Sequence, residues 1–133
     1  MGIEKWSAIY QSMKENKIAI LAIQESHLDT PQILSIHECF GSRLTVINSS
    51  PPENPHSSAG VAFIINRALV EPKDIVMTEL IEGRALALKC KWYNTEEILL
   101  FNMYAPNNRS EHTVFWEKID SARRAKGLHC LDI

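Results

Sequence analysis

The chain has 133 residues, 45% hydrophobic and 23% charged, with 14 Lys and Arg against 16 Asp and Glu for a formal net charge of −2. That is a soluble composition with enough apolar content for one domain around its own core, and its charge neither advertises a polyanion partner nor excludes one, since a local patch outweighs the total. The longest apolar runs, "IAILAI" and "GVAFII", are far too short to cross a bilayer, and no basic segment followed by an apolar signal region opens the chain, so the expectation is an intracellular protein, cytoplasmic or nuclear. Cys39, Cys90 and Cys130 are odd in number and widely spaced, which fits neither a disulfide framework nor a zinc site and predicts buried free thiols.

In "GIEKWSAIYQSMKENK" the residues Trp6, Ile9, Tyr10 and Met13 fall at i, i+3, i+4 and i+7, the stripe of an amphipathic helix. "IAILAI" follows as a strand apolar on both faces. Thr30 as N-cap, Pro31 at the first helical position and Gly41 as a stop predict a short helix over "PQILSIHECF". "RLTVINS" reads as a strand, residues 50–58 as a polar loop, and "GVAFIIN" as a second two-faced strand. "IVMTELIE", "RALALKCKW" and "EILLFNMYA" complete six strands, the last two joined through "YNTE" as a hairpin. Leu86, Leu88 and Cys90 alternate with Lys89 and Lys91, which predicts a strand near a sheet edge. Ser110 is the expected cap of a last helix over "EHTVFWEKIDSARRAK", with Phe115, Ile119 and Ala122 inward and Gly127 as its end; His112, His129 and "RRAK" read as solvated.

The fold class is thus mixed α/β, with chemistry expected where strands end. Two ends stand out. "AILAI" gives way to Gln24 and Glu25, and "ILLFNMYAPNN" carries Asn102, Tyr104 and Asn107 into a proline-stiffened turn. One carboxylate is a sufficient protein ligand for a hard divalent cation, which keeps waters and substrate oxygens around it. Amides orient a phosphate or a water, and a phenol donates to a phosphate oxygen as charge builds. Spacing alone leaves the plainer alternative open, in which the acid is a solvated surface residue and the Tyr a core residue with a satisfied hydroxyl.

The ordered segments "LAIQESHL", "SSAGVAFIIN" and "LLFNMYAPNN" resemble the endonuclease/exonuclease/phosphatase superfamily. They look most like the apurinic-type endonuclease domain of LINE-class, non-LTR retrotransposons. The resemblance covers essentially the whole chain and implies a fold of the DNase I-like type, a four-layer α/β sandwich. It also implies a Mg2+-dependent (or Mn2+-dependent) phosphodiester endonuclease that nicks DNA. Carried over residue by residue, it makes Glu25 the metal ligand and places Tyr104 and Asn107, with Asn102 on the same strand, at the scissile phosphate. Gln24 and His27 belong to the metal-ligand segment, and Ser58, Gly60, Val61 and Ala62 to the "SSAGVA" segment. His27 reads equally as a loop-ordering residue. Arg84 reads equally as a DNA phosphate contact or as the partner of Glu82 or Glu79.

The family's remaining motifs, an Asn on a strand before the first helix, a Gly-Asp-x-Asn segment and a carboxy-terminal Asp-His pair, are not in the sequence; Asp132 has no preceding glycine and is not the missing acid. Residues 1–133 are therefore expected to form a single incomplete domain, the amino-terminal part of such a nuclease, with one mixed sheet and helices on its outer face, and without activity alone. Two alternatives stand beside this reading. One is a non-catalytic relic or binding module, the other a phosphatase or a phosphoinositide or sphingomyelin phosphodiesterase of the same superfamily. A single sheet apolar on both faces would leave more than the ~300 to 600 Å² of exposed patch that a monomer tolerates, which predicts self-association.

Overall fold

The computed structural model of the protein describes residues 3–51, 59–92 and 96–128. Ser58, the turn at 93–95, His129, Cys130 and Asp132 lie outside the described residues.

Helix α1 (Ile3–Glu15) leads into strand β1 (Ile20–Gln24), and helix α2 (Thr30–Phe40) into β2 (Leu44–Ser49) and β3 (Val61–Asn66). Strands β4 (Val76–Ile81), β5 (Ala85–Trp92) and β6 (Glu96–Met103) follow, then helix α3 (His112–Ala125). The three helices and six strands are those the periodicities predict. Their assembly differs from the expected single mixed sheet. The described residues form two sheets, each of three strands and each wholly antiparallel, in the orders β1-β3-β2 and β4-β5-β6.

The reason lies in the two-faced strand β3, all six residues of which are buried. Its residues Ala62 and Ile64 turn toward α1 and α2, where Ile64 packs with Trp6, Met13, Ile36 and Phe40. Its residues Val61, Phe63 and Ile65 turn the other way and meet Leu86, Leu88 and Cys90 of β5. An apolar face needs an apolar cover, and the second sheet supplies it. On the far side of that sheet α3 lays Phe115 and Ile119 over Ala85 and Met103. The layers run α1 and α2, first sheet, second sheet, α3. The uncovered inner face on which self-association was expected is therefore covered from within the chain.

Strand β5 is central rather than near an edge, because Lys89 reaches out past the outer face to Glu97 (3.6 Å) while its backbone pairs on both sides. Strand β1, apolar on both faces, is itself at an edge and only half covered. The N-cap of α2 is Asp29 and not Thr30: its carboxylate accepts from the Gln32 N–H at 2.8 Å while the Gln32 side chain accepts from the Asp29 N–H at 2.9 Å. Ser110 does not cap α3. It sits in a 3₁₀ turn, Arg109–Glu111, where Asn108 accepts from its N–H at 3.0 Å. Cys90 is buried, and burial pushes its thiol pKa up, whereas Cys39 is exposed, against the expectation of burial. No helix among the described residues is long and apolar enough to cross a membrane.

Candidate active site

The register places the polar strand ends together. Gln24 closes β1 and Ser49 closes β2, each opposite Val61, where β3 begins. In the other sheet Met103 closes β6 opposite Ala85, the first residue of β5. Four carboxyl-terminal strand ends thus rim one end of the sandwich, counting β4 at Ile81.

At that rim the chain leaves β1 through an abrupt turn. Glu25 and His27 both have positive φ, 52° and 53°, a left-handed backbone that non-glycine residues seldom adopt. The turn is held from behind. Ser26 is buried and donates to the Asn48 side-chain oxygen at 2.7 Å, and the Asn48 amide donates in turn to Leu28 O (3.3 Å) and Ser50 Oγ (2.9 Å). Gly60 lies against it so closely, at φ 121°, that a Cβ there would come within 2.7 Å of Ser26 Oγ. The outcome is an exposed Glu25 carboxylate on a backbone whose direction is fixed.

Two residues of β6 reach across to the first sheet just below. The buried Asn102 amide donates to Ile23 O (3.1 Å) and Ala62 O (2.9 Å). The Gln24 amide donates back to Met103 O at 2.5 Å. One residue further out on each segment, the Tyr104 hydroxyl donates to Glu25 Oε1 at 2.7 Å. In place of the one mixed sheet expected, Glu25 and Tyr104 follow strands of facing sheets, and the tie brings them into contact.

Arg84 completes the group. Tyr104 N–H donates to Arg84 O (2.8 Å), an Arg84 guanidinium N–H donates to Tyr104 O (3.1 Å), and the guanidinium carbon lies 5.3 Å from the phenol ring centroid. It makes no ion pair with Glu82 or Glu79; the Glu79 carboxylate accepts from Ser49 Oγ at 2.6 Å, and that same oxygen accepts from the Gly83 N–H at 2.7 Å. The half-exposed guanidinium is thus held by the phenol and its carbonyl, with no carboxylate in a salt bridge among the described residues.

The Tyr104 phenol has its pKa raised, first by its hydrogen bond to Glu25, then by burial and by the Glu25 charge; Arg84 and the Asn107 amide pull the other way. A phenol so raised stays neutral, and a donor, at ordinary pH. Glu25, Tyr104, Asn107 and Arg84 therefore converge, with Gln24 beneath them. Asn102 shares the face of Tyr104, as strand alternation demands, but is buried with both amide hydrogens bound to carbonyls. His27 stands in the turn, two residues from Glu25.

Ser26, Asn48 and Ser49 support the site and were not singled out in the sequence, and His112 was read as solvated. The polar end of "TVINSS" is the only mark of Asn48 and Ser49, and it gains meaning once β2 is known to end beside β1. His112 is half-buried rather than solvated: its Nε2 contacts Pro106 O at 2.7 Å and so braces the turn that carries Asn107. Because a carbonyl only accepts, this contact requires the tautomer with hydrogen on Nε2.

The donor set suits a hard cation. Glu25 Oε2 accepts no hydrogen bond among the described residues, and one carboxylate oxygen at an exposed rim matches the way Mg2+ binds, with most of its waters retained. The chain matches no family model, and no curated protein matches it.

Proposed function

We propose that this is the phosphodiester-binding part of a Mg2+-dependent endonuclease of the DNase I-like type, similar to the LINE-class retrotransposon domain, with DNA as its partner. The observation that carries the reading is the 2.7 Å contact between Glu25 and Tyr104, residues 79 apart in sequence that belong to different sheets. Two packed sheets with helices on both outer sides are consistent with the four-layer architecture the resemblance implies.

In this reading Glu25 holds the cation, which when bound neutralises phosphate charge. Arg84 attracts the same phosphate through a guanidinium that no carboxylate pairs with among the described residues. Tyr104 donates its phenolic hydrogen to a non-bridging oxygen, where charge grows as the phosphorus centre is attacked. Asn107 fixes the phenol's orientation. Asn102 is a positioning residue, since its hydrogens are spent on joining the sheets under Tyr104. The Gly-Asp-x-Asn and Asp-His segments that would position the attacking water are not in residues 1–133, and groups that act as a unit lose most of their effect when divided.

The test is a plasmid-nicking and abasic-oligonucleotide assay on purified residues 1–133 with Mg2+, beside fluorescence-anisotropy binding to the same oligonucleotide. Expected are Mg2+-dependent binding that weakens in Arg84→Met and no nicking above a Glu25→Ala control. Cleavage that disappears in Glu25→Ala and Tyr104→Phe would show a complete active site; binding indifferent to Mg2+, Glu25 and Arg84 would sink the assignment.

A further inference from the structure

The Tyr104 hydroxyl donates to the carboxylate that the proposed function gives to the cation. Both demands fall on one small group. A carboxylate oxygen that accepts a short phenolic hydrogen bond has part of its charge withdrawn, and the phenol has only one hydrogen to give. It cannot donate fully to Glu25 and to a phosphate oxygen together.

The geometry points to Tyr104 as a latch on Glu25: without cation the phenol closes over the carboxylate, and cation binding turns the phenolic hydrogen toward the phosphodiester. The inference rests on the proposed function and goes beyond it by coupling the two ligands. Three features make the exchange local. The Glu25 backbone is held in place, because Ser26 and Gly60 fix its left-handed turn. The phenol ring cannot swing away either, because Arg84 lies over it and is bonded to the Tyr104 carbonyl. The Asn107 side chain is a second hydrogen-bond partner of the phenol. The hydroxyl hydrogen is left as the part free to turn. It points to Glu25 when the carboxylate is the strongest acceptor, and elsewhere when that charge is taken up.

Two consequences follow by linkage. Cation and phosphodiester favour each other by the same factor, since each benefits from the opened latch. The latch also weakens the cation's own affinity when no phosphate is present.

Mn2+ serves as the probe, its free concentration read by electron paramagnetic resonance on residues 1–133, with and without the dinucleoside phosphate dTpdT. Tyr104→Phe keeps the ring under Arg84 and removes only the hydroxyl; near-UV circular dichroism verifies that packing, and Asn107→Ala provides a second variant that leaves the hydroxyl in place. The expected result is Mn2+ binding about threefold or more tighter in Tyr104→Phe, the modest strength of one exposed hydrogen bond, with the mutual enhancement between Mn2+ and dTpdT reduced to what the direct attraction of cation and phosphate gives. In Asn107→Ala, which keeps the hydroxyl, the enhancement is reduced as well. Mn2+ affinity equal or weaker in Tyr104→Phe, while Glu25→Gln still abolishes binding, overturns the latch and leaves Glu25 as ligand. Wild type and Glu25→Gln binding Mn2+ alike overturns the metal assignment of the proposed function, and the latch with it.

Discussion

The same two short segments, residues 23–25 and 102–104, build two regions that behave oppositely. In the lower one, Asn102 and Gln24 spend their amide hydrogens on the carbonyls of Ile23, Ala62 and Met103, and the tie is closed. In the upper one, Glu25 keeps one oxygen without a hydrogen bond among the described residues, Arg84 forms no ion pair there, and Tyr104 divides its interactions among Glu25, Arg84 and Asn107. The difference teaches how to read a polar residue at a strand end. A buried amide with both hydrogens placed, as in Asn102, marks a structural part, whereas exposure with unused capacity on a strained backbone marks a place where a ligand could complete the set.

The largest effect is expected from breaking the lower region. Asn102→Ala removes both donors and leaves two carbonyls in the buried seam between the sheets, one of them on the central strand β3. Each carbonyl keeps its partner in the β1–β3 ladder, so what is lost is two buried hydrogen bonds at about 0.5 to 1.5 kcal/mol each, and a loss of about 1 to 3 kcal/mol in urea unfolding is expected, out of a total near 5 to 15. Tyr104→Phe in the same assay should cost far less, since it gives up only an exposed hydrogen bond. Equal losses in the two variants would erase the distinction between tie and cluster.

The sequence made the elements legible where the physics is local. Trp6, Ile9, Tyr10 and Met13 gather on one helical stripe, and Val61 to Ile65 is apolar throughout, so α1 and β3 announce themselves. Assembly is not local. Lys89 and Lys91 suggest an edge because a lysine pattern carries no trace of the outward reach that lets β5 sit in the middle. Two-faced strands declare that both faces need cover, but not that the cover comes from strands later in the same chain. Within the candidate site, Glu25 and Tyr104 were singled out only through the resemblance of the ordered motifs, since spacing alone left the plainer alternative open. The role of Asn102 was not legible, since the same amide reads as a substrate contact until its acceptors, 79 and 40 residues away, are known. The left-handed turn at Glu25 and the bracing by Asn48 and His112 leave no composition signal.

A smaller effect should come from the backbone at Glu25. A non-glycine residue at φ 52° pays about 1 kcal/mol or somewhat more that glycine does not. Glu25→Gly should therefore be about 1 kcal/mol more stable than Glu25→Ala by chemical denaturation, although both lose the carboxylate. That gap would measure what the fold gives up to hold an acid in this position. Two variants of equal stability would mean that the turn relaxes out of the left-handed region in solution, and the case for a strained, ligand-directed Glu25 would weaken accordingly.

The smallest effect is electrostatic and confined to one proton. The Tyr104 phenol is raised from its ordinary value chiefly by its hydrogen bond to Glu25, with burial and the Glu25 charge adding and Arg84 opposing. Glu25→Gln removes the charge and leaves a weaker acceptor, so the Tyr104 ionisation midpoint should fall; Arg84→Met should move it up. Phenolate absorbance in an alkaline titration reads both, and Tyr104→Phe identifies which part of the signal belongs to this residue rather than to Tyr10 or Tyr93. The stability consequence has a definite sign. Because the folded value lies above the unfolded one, the neutral phenol's contribution is fully present below the unfolded value of about 10 and is lost as pH rises through the folded value. Tyr104→Phe should flatten that alkaline loss. A Tyr104 midpoint that does not respond to Glu25→Gln would show that phenol and carboxylate do not meet in solution, and the upper region would no longer be a cluster at all.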